Sequence, residues 1–336
     1  MTNNLLRPAT AVPVLLLAGL ALVPFVANAL GQPFWISFFA RIVIYAIAAS
    51  ALNLALGYGG LVSFGHALFI GLGSYAVALP AFHGIDSGFL HLALCVGVCA
   101  FVALVVGTIS LRTSGMAFIM ITLAFAQMGY FLFVSLKAYG GDDGLPVAAT
   151  SRFGALNLGS TSLVYGASLM VLALVTWWMA KLRVAPFGMA LRGGRQNARR
   201  IDAMGLQVRR VQLVAFVISG AICGVSGLLL ANLNAFASPS TLAWTVSGEL
   251  IVMVVLGGIG TVSGPIVGAL VFIGLEEVLK GATDHWMAIF GPLIVLVALV
   301  GRRGIVGWIE HRPKAPPDAA PAPVVAHETT HAGRAA

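Results

Sequence analysis

A few polar side chains interrupt the apolar runs of this sequence, and their types are the ones that could do chemistry. They are Asn53, Ser63, His66, Gln127 and Glu249. An ionisable group inside a membrane is costly, so each one in an apolar run is a functional candidate. His66 fits two interpretations: contact with a substrate, or a neutral imidazole hydrogen-bonded between two helices. For Glu249, near the end of its segment, we expect a carboxylate that reaches water.

Motifs for catalysis and metal binding are missing from the sequence. It contains no His-Glu-x-x-His, no Gly-x-Ser-x-Gly, and no lysine in a Gly-x-x-x-x-Gly-Lys-Ser/Thr context. Glu276 and Glu277 are adjacent and fall on different helix faces, while Cys95, Cys99 and Cys223 lack metal-ligand spacing. We therefore predict that the chain is not an enzyme and holds no metal or cofactor. Any nucleotide must be hydrolysed by another chain.

The composition is that of a polytopic helical membrane protein. Hydrophobic residues make up 59% of the chain and charged residues only 9%, where a soluble domain carries about 25% charged residues. The net charge of +8 comes from cations at the ends of apolar runs. That placement indicates membrane topology rather than nucleic-acid binding.

The apolar runs predict an all-α transmembrane bundle with about ten membrane segments, some of them short or interrupted by glycine. Residues 1–305 form this domain, and the Pro- and Ala-rich residues 306–336 are expected to be a disordered cytoplasmic tail. The predicted segments are 10–30, 36–56, 64–82, 89–110, 115–136, 161–181, 211–231, 246–258, 264–280 and 286–301.

One basic stretch, from Lys181 to Arg210, sets the orientation. It holds eight of the nineteen Lys and Arg residues and a single acid, Asp202. Short loops rich in Lys and Arg stay in the cytoplasm, so the loop 182–210 is expected to be cytoplasmic, as are both termini. Within it, helix-compatible residues run from about Ala198 to Met204, and Gly205 is a suitable helix end.

Two glycine-rich segments echo each other at an offset of 200 residues: Gly57-Tyr-Gly-Gly-Leu-Val-Ser63 and Gly257-Gly-Ile-Gly-Thr-Val-Ser263. Paired helix interruptions in two halves of a membrane protein indicate a translocation path between them, although a chance match in a glycine-rich chain is the alternative. The candidates for the path are Asn53, Gly57, Gly60, Ser63, His66, Gly257 and Gly260.

The loop 137–160, on the outer side by the same count, carries Gly140-Gly-Asp-Asp-Gly144. Such a glycine cluster needs tight turns and exposes the two carboxylates. Asp142 and Asp143 are adjacent and so point apart in most backbones, which favours docking of an outer partner over binding of a cation.

These features together resemble branched-chain amino acid ABC-transporter permeases of the LivH/LivM type, and the resemblance is closer to LivM. The resemblance covers about residues 35–305. Four stretches carry it: Asn53 to Tyr75, Gly140-Gly-Asp-Asp-Gly-Leu145, Ala215-Phe-Val-Ile-Ser-Gly-Ala-Ile-Cys-Gly-Val-Ser-Gly227, and Gly257-Gly-Ile-Gly-Thr-Val-Ser-Gly-Pro265.

The resemblance implies a multi-pass subunit of a bacterial inner-membrane importer. Such a permease pairs with a second homologous permease, two cytoplasmic ATPases that bind the ATP, and a periplasmic solute-binding protein. It also implies that the basic loop couples to the ATPase through Gly188, Arg192, Arg195, Arg199, Arg200 and Gly205. Here the chain departs from the family pattern, because cations replace the usual acidic and small residues before Gly205. A cationic docking helix needs a matching acidic surface.

Three other functions are weighed against this one. Urea and short-amide transporters share the architecture, so the substrate stays open. An ion-coupled secondary transporter would need its own proton- or sodium-binding acids at mid-membrane, and acids are scarce in the apolar runs. A membrane-embedded enzyme would need a catalytic cluster, which the sequence lacks.

Overall fold

The computed structural model describes residues 8–154, 156–283, 285–300 and 304–309. Over these residues the chain is a bundle of α-helices with four two-residue β-strands, which confirms the predicted helical membrane bundle. The helices are α1 (Pro8–Ala29), α2 (Pro33–Asn53), α3 (His66–Phe82), α4 (Gly88–Ser110), α5 (Met116–Ser135), α6 (Thr161–Val184), α7 (Pro186–Gln196), α8 (Ala198–Ala203), α9 (Val208–Asn234), α10 (Trp244–Gly257), α11 (Gly264–Ala282), α12 (Trp286–Val300) and α13 (Gly304–Ile309).

Each of the ten predicted segments coincides with a helix, namely α1 to α6 and α9 to α12. In the described part of the chain, six of them are long and apolar enough to cross a membrane: α1, α2, α4, α5, α6 and α9. Helices α3 and α10 are shorter apolar helices of 17 and 14 residues. Length and composition therefore identify six helices that could cross a membrane, and they leave the predicted count of ten unestablished.

Helices α2, α3 and α9 form the centre of the bundle because small residues let them approach closely. A side chain at Gly73 of α3 would meet the backbone of Gly224 in α9, with the Cα atom at 3.0 Å. A side chain at Gly227 of α9 would meet the Cα atom of Ile70 at the same distance. Burial of α2 is nearly complete from Ile42 to its end.

Helix α2 does not end in a regular α-helical turn. Residues Leu54–Tyr58 continue it as one turn of π-helix, in which the amide of Gly59 donates to the carbonyl of Leu54 at 3.2 Å. Single π turns inside helices are rare and occur frequently at functional sites. This turn carries Gly57 to the edge of the first glycine-rich segment.

Short β-strands in the segments that connect the helices pair with one another at one end of the bundle. Strand β1 (Leu145–Pro146) pairs antiparallel with β4 (Phe236–Ala237), and β2 (Arg152–Phe153) pairs with β3 (Leu156–Asn157). The basic segment α7–α8 lies at the other end, which we call the basic end.

The predicted tail begins inside an ordered element. Residues 306–309 belong to α13, in which Val306 is buried. The remainder of the tail, 310–336, lies outside the described residues, as do Arg302 and Arg303.

Candidate functional site

The two glycine-rich segments meet, and one buried asparagine joins them. Asn53, with no exposed surface, donates from its side-chain Nδ2 to the carbonyl of Thr261 at 2.8 Å. Its side-chain oxygen accepts from the amide of Gly260 at 2.9 Å. Both hydrogen-bonding ends of one amide are thus used on the turn between α10 and α11. We call this contact region, formed by Asn53, Gly57, Gly60, Gly260 and Thr261, the glycine junction.

Glycine is required at the junction for close approach. A Cβ atom at Gly57 would lie 2.7 Å from the Gly260 nitrogen and 2.9 Å from its Cα atom. Gly60 and Gly260 also have φ of 70° and 78°, in the left-handed region that side chains disfavour. Gly257 lies one turn back, against the first turns of α11, where its added Cβ would be 2.9 Å from the Gly268 nitrogen.

His66 lies behind the junction at the start of α3, completely buried. Its Nε2 is 2.9 Å from the Ser219 hydroxyl, which donates to the Ala51 carbonyl at 2.5 Å. The ring meets Phe69 and Phe216 edge-on, with centroids at 5.7 Å in both cases. His66 therefore connects α3, α9 and α2. This agrees with the interpretation in which its imidazole is hydrogen-bonded between helices rather than in contact with a substrate.

Ser63 acts locally in the loop before α3. Its buried hydroxyl accepts from the amide of Gly65 at 3.1 Å, and the neighbouring Phe64 amide donates to Thr122 Oγ1 at 3.2 Å. These bonds fix the loop in place between the junction and α5.

The basic segment folds as two short helices, and α8 confirms the predicted helix. Asn197 caps α8 by accepting from the amide of Arg200 at 3.1 Å. Gly205 follows its end with φ of 85°. Asp202, the acid of this stretch, accepts from the amide of Val208 at 3.1 Å and so caps α9. The side chain of Ile201 is buried and lies against Gly193 of α7.

The arginines of this segment divide into two groups. Arg192 donates to the carbonyls of Gly188, at 3.3 Å, and Arg183, at 2.5 Å, so its guanidinium closes the end of α6. Arg195 donates to the carbonyl of Gly57. Arg199 and Arg200 are exposed on α8.

Arg195 connects the basic segment directly to the glycine junction. The stem of its side chain crosses Gly60, where an added Cβ would lie 2.8 Å from Arg195 Cγ. Its Nη1 atom is about 4 Å from the position of a Cβ at Gly260. The neighbouring carbonyl of Gly59 accepts from Gln212 of α9 at 3.4 Å. Two elements of the basic end therefore hold the last turn of α2.

A small cavity of about 190 Å³ opens beside the junction at the basic end. Gly60 and Gln212 line it together with residues of the α4–α5 connection, among them Leu111, Thr113 and Gly115. Across the residues that the structure describes, no three His, Cys, Asp or Glu side chains lie close enough together to hold a metal.

Asp142 and Asp143 are far from this site, at the opposite end of the bundle. Both are exposed in a short 3-10 turn between Gly140 and Gly144. A side chain at Gly144 would lie 2.7 Å from the Ala237 carbonyl, so this loop is held tightly against β4.

Sequence reasoning missed several residues that hold the site together. Thr261 lies in the second glycine-rich segment and Ser219 in the stretch Ala215–Gly227, but neither stretch indicates the partner of its residue, and Gln212 lies in no motif. The contacts of these three residues cross 153 to 208 positions of sequence. Arg195 was selected for its charge, but its contact with Gly57 has no signal in the sequence.

Comparison with known proteins agrees with this architecture. The family model of the permease component of branched-chain amino acid transport systems matches residues 34–298. The chain belongs to this permease family. The permease is therefore a transport component and a multi-pass membrane protein, and its resemblance to the LivH/LivM type, closer to LivM, is confirmed.

Individual relatives match over most of the permease. LivM of Escherichia coli K12 is 27% identical over 289 residues, which cover 79% of this chain and 68% of the relative. LivH of the same organism is 28% identical over 286 residues, covering 78% and 91%. LivM of Methanocaldococcus jannaschii, named as probable, is 26% identical over 274 residues, covering 70% and 78%. No solved structure gives a significant match.

Proposed function

We propose that this protein is the permease subunit of an ATP-binding-cassette importer of the inner membrane, and that it translocates branched-chain amino acids or a related small polar solute. The family match carries the proposal, because it spans residues 34–298, from α2 to nearly the end of α12, and the relatives are named for this transport. The glycine junction supplies the place where two helix interruptions meet, as expected for a translocation path.

We propose further that α3, α10, α11 and α12 complete a ten-segment membrane domain. The path of α3 supports this: it begins beside the junction and ends at His83, which contacts Tyr139 of the opposite end at 3.5 Å. Helix α10 likewise starts after β4 and ends at the junction, and α11 leads away from it. Short helices packed inside a bundle still cross a large part of a bilayer.

The coupling role of the basic segment rests on its exposed surface. Arg199 and Arg200 project from α8 beside Met204 and Leu206, which are 63% and 45% exposed. A surface of cations around exposed apolar side chains suits a partner with acidic groups around a groove. The partners in this proposal are two cytoplasmic ATPases, which bind the ATP, and a second homologous permease.

At the other end, Asp142 and Asp143 form the proposed contact for a periplasmic solute-binding protein. The tight packing of Gly144 against β4 supports this, because a rigid loop loses little entropy on binding. Nucleic acid has no part in this function.

Uptake measurements test the proposal. The chain is expressed with its second permease, ATPases and binding protein in cells that lack their own branched-chain amino acid uptake. We expect leucine uptake that needs an intact ATPase and is competed by isoleucine and valine. Uptake of urea or short amides instead would support the first alternative. Uptake driven by a proton or sodium gradient without the ATPase would contradict the proposal.

A further inference from the structure

Charged side chains form a cluster between α2 and α11, at the end of these helices away from the glycine junction. Glu276 Oε1 lies 2.6 Å from Lys280 Nζ and 3.9 Å from Arg41 Nη2, so one carboxylate is shared by two cations. Arg41 lies over the ring of Tyr45 at 5.8 Å and Lys280 over Trp286 at 4.8 Å. The side chains of Arg41 and Lys280 are nevertheless 44% and 37% exposed.

Glu249 of α10 adds a second carboxylate to this cluster. Helix α10 packs against both α2 and α11, and the charges of Arg41, Glu276 and Lys280 act on the Glu249 carboxyl group. Over the described part of the chain it makes no ion pair within 4.0 Å, and it is exposed. The cluster therefore offers an accessible cation, Arg41, and a carboxylate with room for a further cation. We call Arg41, Glu249, Glu276 and Lys280 the charged flank.

The charged flank lies at membrane depth. The span Pro33–Tyr58 has 26 residues and is about 39 Å long, which exceeds the hydrocarbon core by roughly 9 Å. Arg41, eight residues from its start, is about 12 Å along the helix and hence inside the apolar layer. Charged residues at such depth face a water-filled cavity or the bundle interior rather than lipid.

Other helices provide surfaces suited to lipid. Helices α1, α4, α5 and α6 each present large apolar side chains that are at least 59% exposed: Leu15, Leu22, Phe25, Phe101, Met120, Phe131, Met170, Leu174 and Trp177. The charged flank is on different helices, α2, α10 and α11. These are the helices whose other ends meet at the glycine junction.

We propose that the charged flank faces the translocation path and is a binding site for a small zwitterion, with Arg41 binding its carboxylate and Glu249 its ammonium group. A zwitterion that leaves bulk water needs both charges compensated, and the flank supplies both signs. This inference rests on the proposed transport function and adds to it the place where the solute binds on entering.

Accessibility of an engineered thiol tests where Glu249 faces. The native Cys95, Cys99 and Cys223 are buried, so the unmodified chain gives the background. Glu249→Cys, in cells with the complete transporter, should react with a charged, membrane-impermeant methanethiosulfonate added from outside. Leu94→Cys is the matched control. Leu94 lies near the start of α4, as Glu249 lies near the start of α10, and both helices start at the end of the bundle that holds the short strands. Leu94 is 38% exposed on an apolar face. We expect it to stay at background.

Charge restoration tests the role of the carboxylate. Glu249→Cys should reduce leucine uptake about tenfold or more, the loss of one charge-assisted bond. A sulfonate-bearing reagent, which restores a negative charge, should recover uptake, and a trimethylammonium reagent should not. Glu276→Gln should also reduce uptake because it releases Arg41, whereas Glu277→Gln, the adjacent carboxylate, should leave uptake unchanged at equal protein levels.

Three results would overturn the inference. In the first, the thiol of Glu249→Cys is as unreactive as that of Leu94→Cys. In the second, the thiol of Glu249→Cys reacts only when the second permease is missing. In the third, Glu249→Gln and Glu276→Gln both take up leucine normally. The second of these would identify the flank as a permease–permease interface instead. Failure of the proposed function looks different, because the unmodified transporter would then take up no branched-chain amino acid.

Discussion

The side-chain oxygen of Asn53 accepts a hydrogen bond from the amide of Gly260 at 2.9 Å, although 207 positions separate the two residues. The same side chain donates to Thr261. One amide thus joins the end of α2 to the turn between α10 and α11, because its nitrogen donates and its oxygen accepts. The interruption after α2 and the interruption between α10 and α11 therefore stabilise each other through these two hydrogen bonds.

Removing this amide should loosen the junction. Asn53→Ala leaves the Gly260 amide and the Thr261 carbonyl unpaired, and each buried group left unpaired costs about 1–3 kcal/mol. We expect a lower unfolding temperature in detergent and strongly reduced uptake. Asn28→Ala, at an exposed asparagine of α1, should change neither. Equal stability of the two variants would show that the bridge does not hold the junction.

A single methyl group at Gly57 should block the junction. Its Cβ would lie 2.7 Å from the Gly260 nitrogen, which belongs to backbone and cannot move aside easily. Gly57→Ala should therefore abolish uptake while the protein still inserts in the membrane. The control is Gly97→Ala in α4, where an added Cβ has no atom within 4 Å. Uptake by Gly57→Ala at the level of the control would contradict the close approach.

Arg195 should transmit movement rather than bind the ATPase. Its guanidinium bonds to the Gly57 carbonyl, so Arg195→Ala should reduce uptake about tenfold or more, the loss of a hydrogen bond from a charged group. The ATPase should still co-purify and hydrolyse ATP, and Arg195→Lys, which keeps one charged donor, should retain part of the uptake. Loss of the ATPase from the Arg195→Ala complex would instead assign this arginine to the docking surface.

Arg199 and Arg200 should behave in the opposite way. Both are exposed on α8, and reversing their charge replaces attraction to an acidic partner by repulsion. Arg199→Glu combined with Arg200→Glu should release the ATPase and remove uptake without removing the permease from the membrane. Added salt should weaken ATPase binding to the unmodified permease as well. Normal co-purification of the double variant would show that these arginines only set topology.

The two ends of the bundle should lie on opposite sides of the membrane. Gln196→Cys, in the basic segment, should resist a membrane-impermeant thiol reagent in intact cells, whereas Asp143→Cys, at the opposite end, should react. The reason is the Lys and Arg bias, which keeps the basic segment in the cytoplasm. Labelling of position 196 from outside would reverse the orientation.

The helices of this protein were predictable because apolar runs of membrane length leave few alternatives to a helix. The end of α8 was also predictable, since Gly205 is a local signal with φ of 85°. Membrane crossing by α3 and α10 was harder to infer, because helices of 17 and 14 residues are shorter than the roughly 20 residues of a full span. How deep such helices lie depends on the helices packed around them.

The contacts of the arginines could not be predicted from charge alone. Helix ends leave carbonyls without partners, and these carbonyls attract cations that lie near them in space. Arg192 meets such a carbonyl at Arg183 and Arg195 meets one at Gly57. Which arginines stay free for a partner therefore depends on where α6 and α2 end in three dimensions. Their proposed share in ATPase coupling stays a prediction.

The π turn at Leu54–Tyr58 makes this protein sensitive to the number of residues in α2, besides their identity. Each residue in a helix turns the chain by about 100°. The π turn holds one residue more than an α-helical turn, so deleting Ala55 would let α2 continue as an ordinary α-helix with the residues on either side facing nearly as before. A residue inserted earlier in α2 has no such accommodation and would rotate everything after it by about 100°. Gly57 would then face away from Gly260 even though every side chain of the junction is still present. In this part of the chain, an insertion is expected to be more damaging than a deletion.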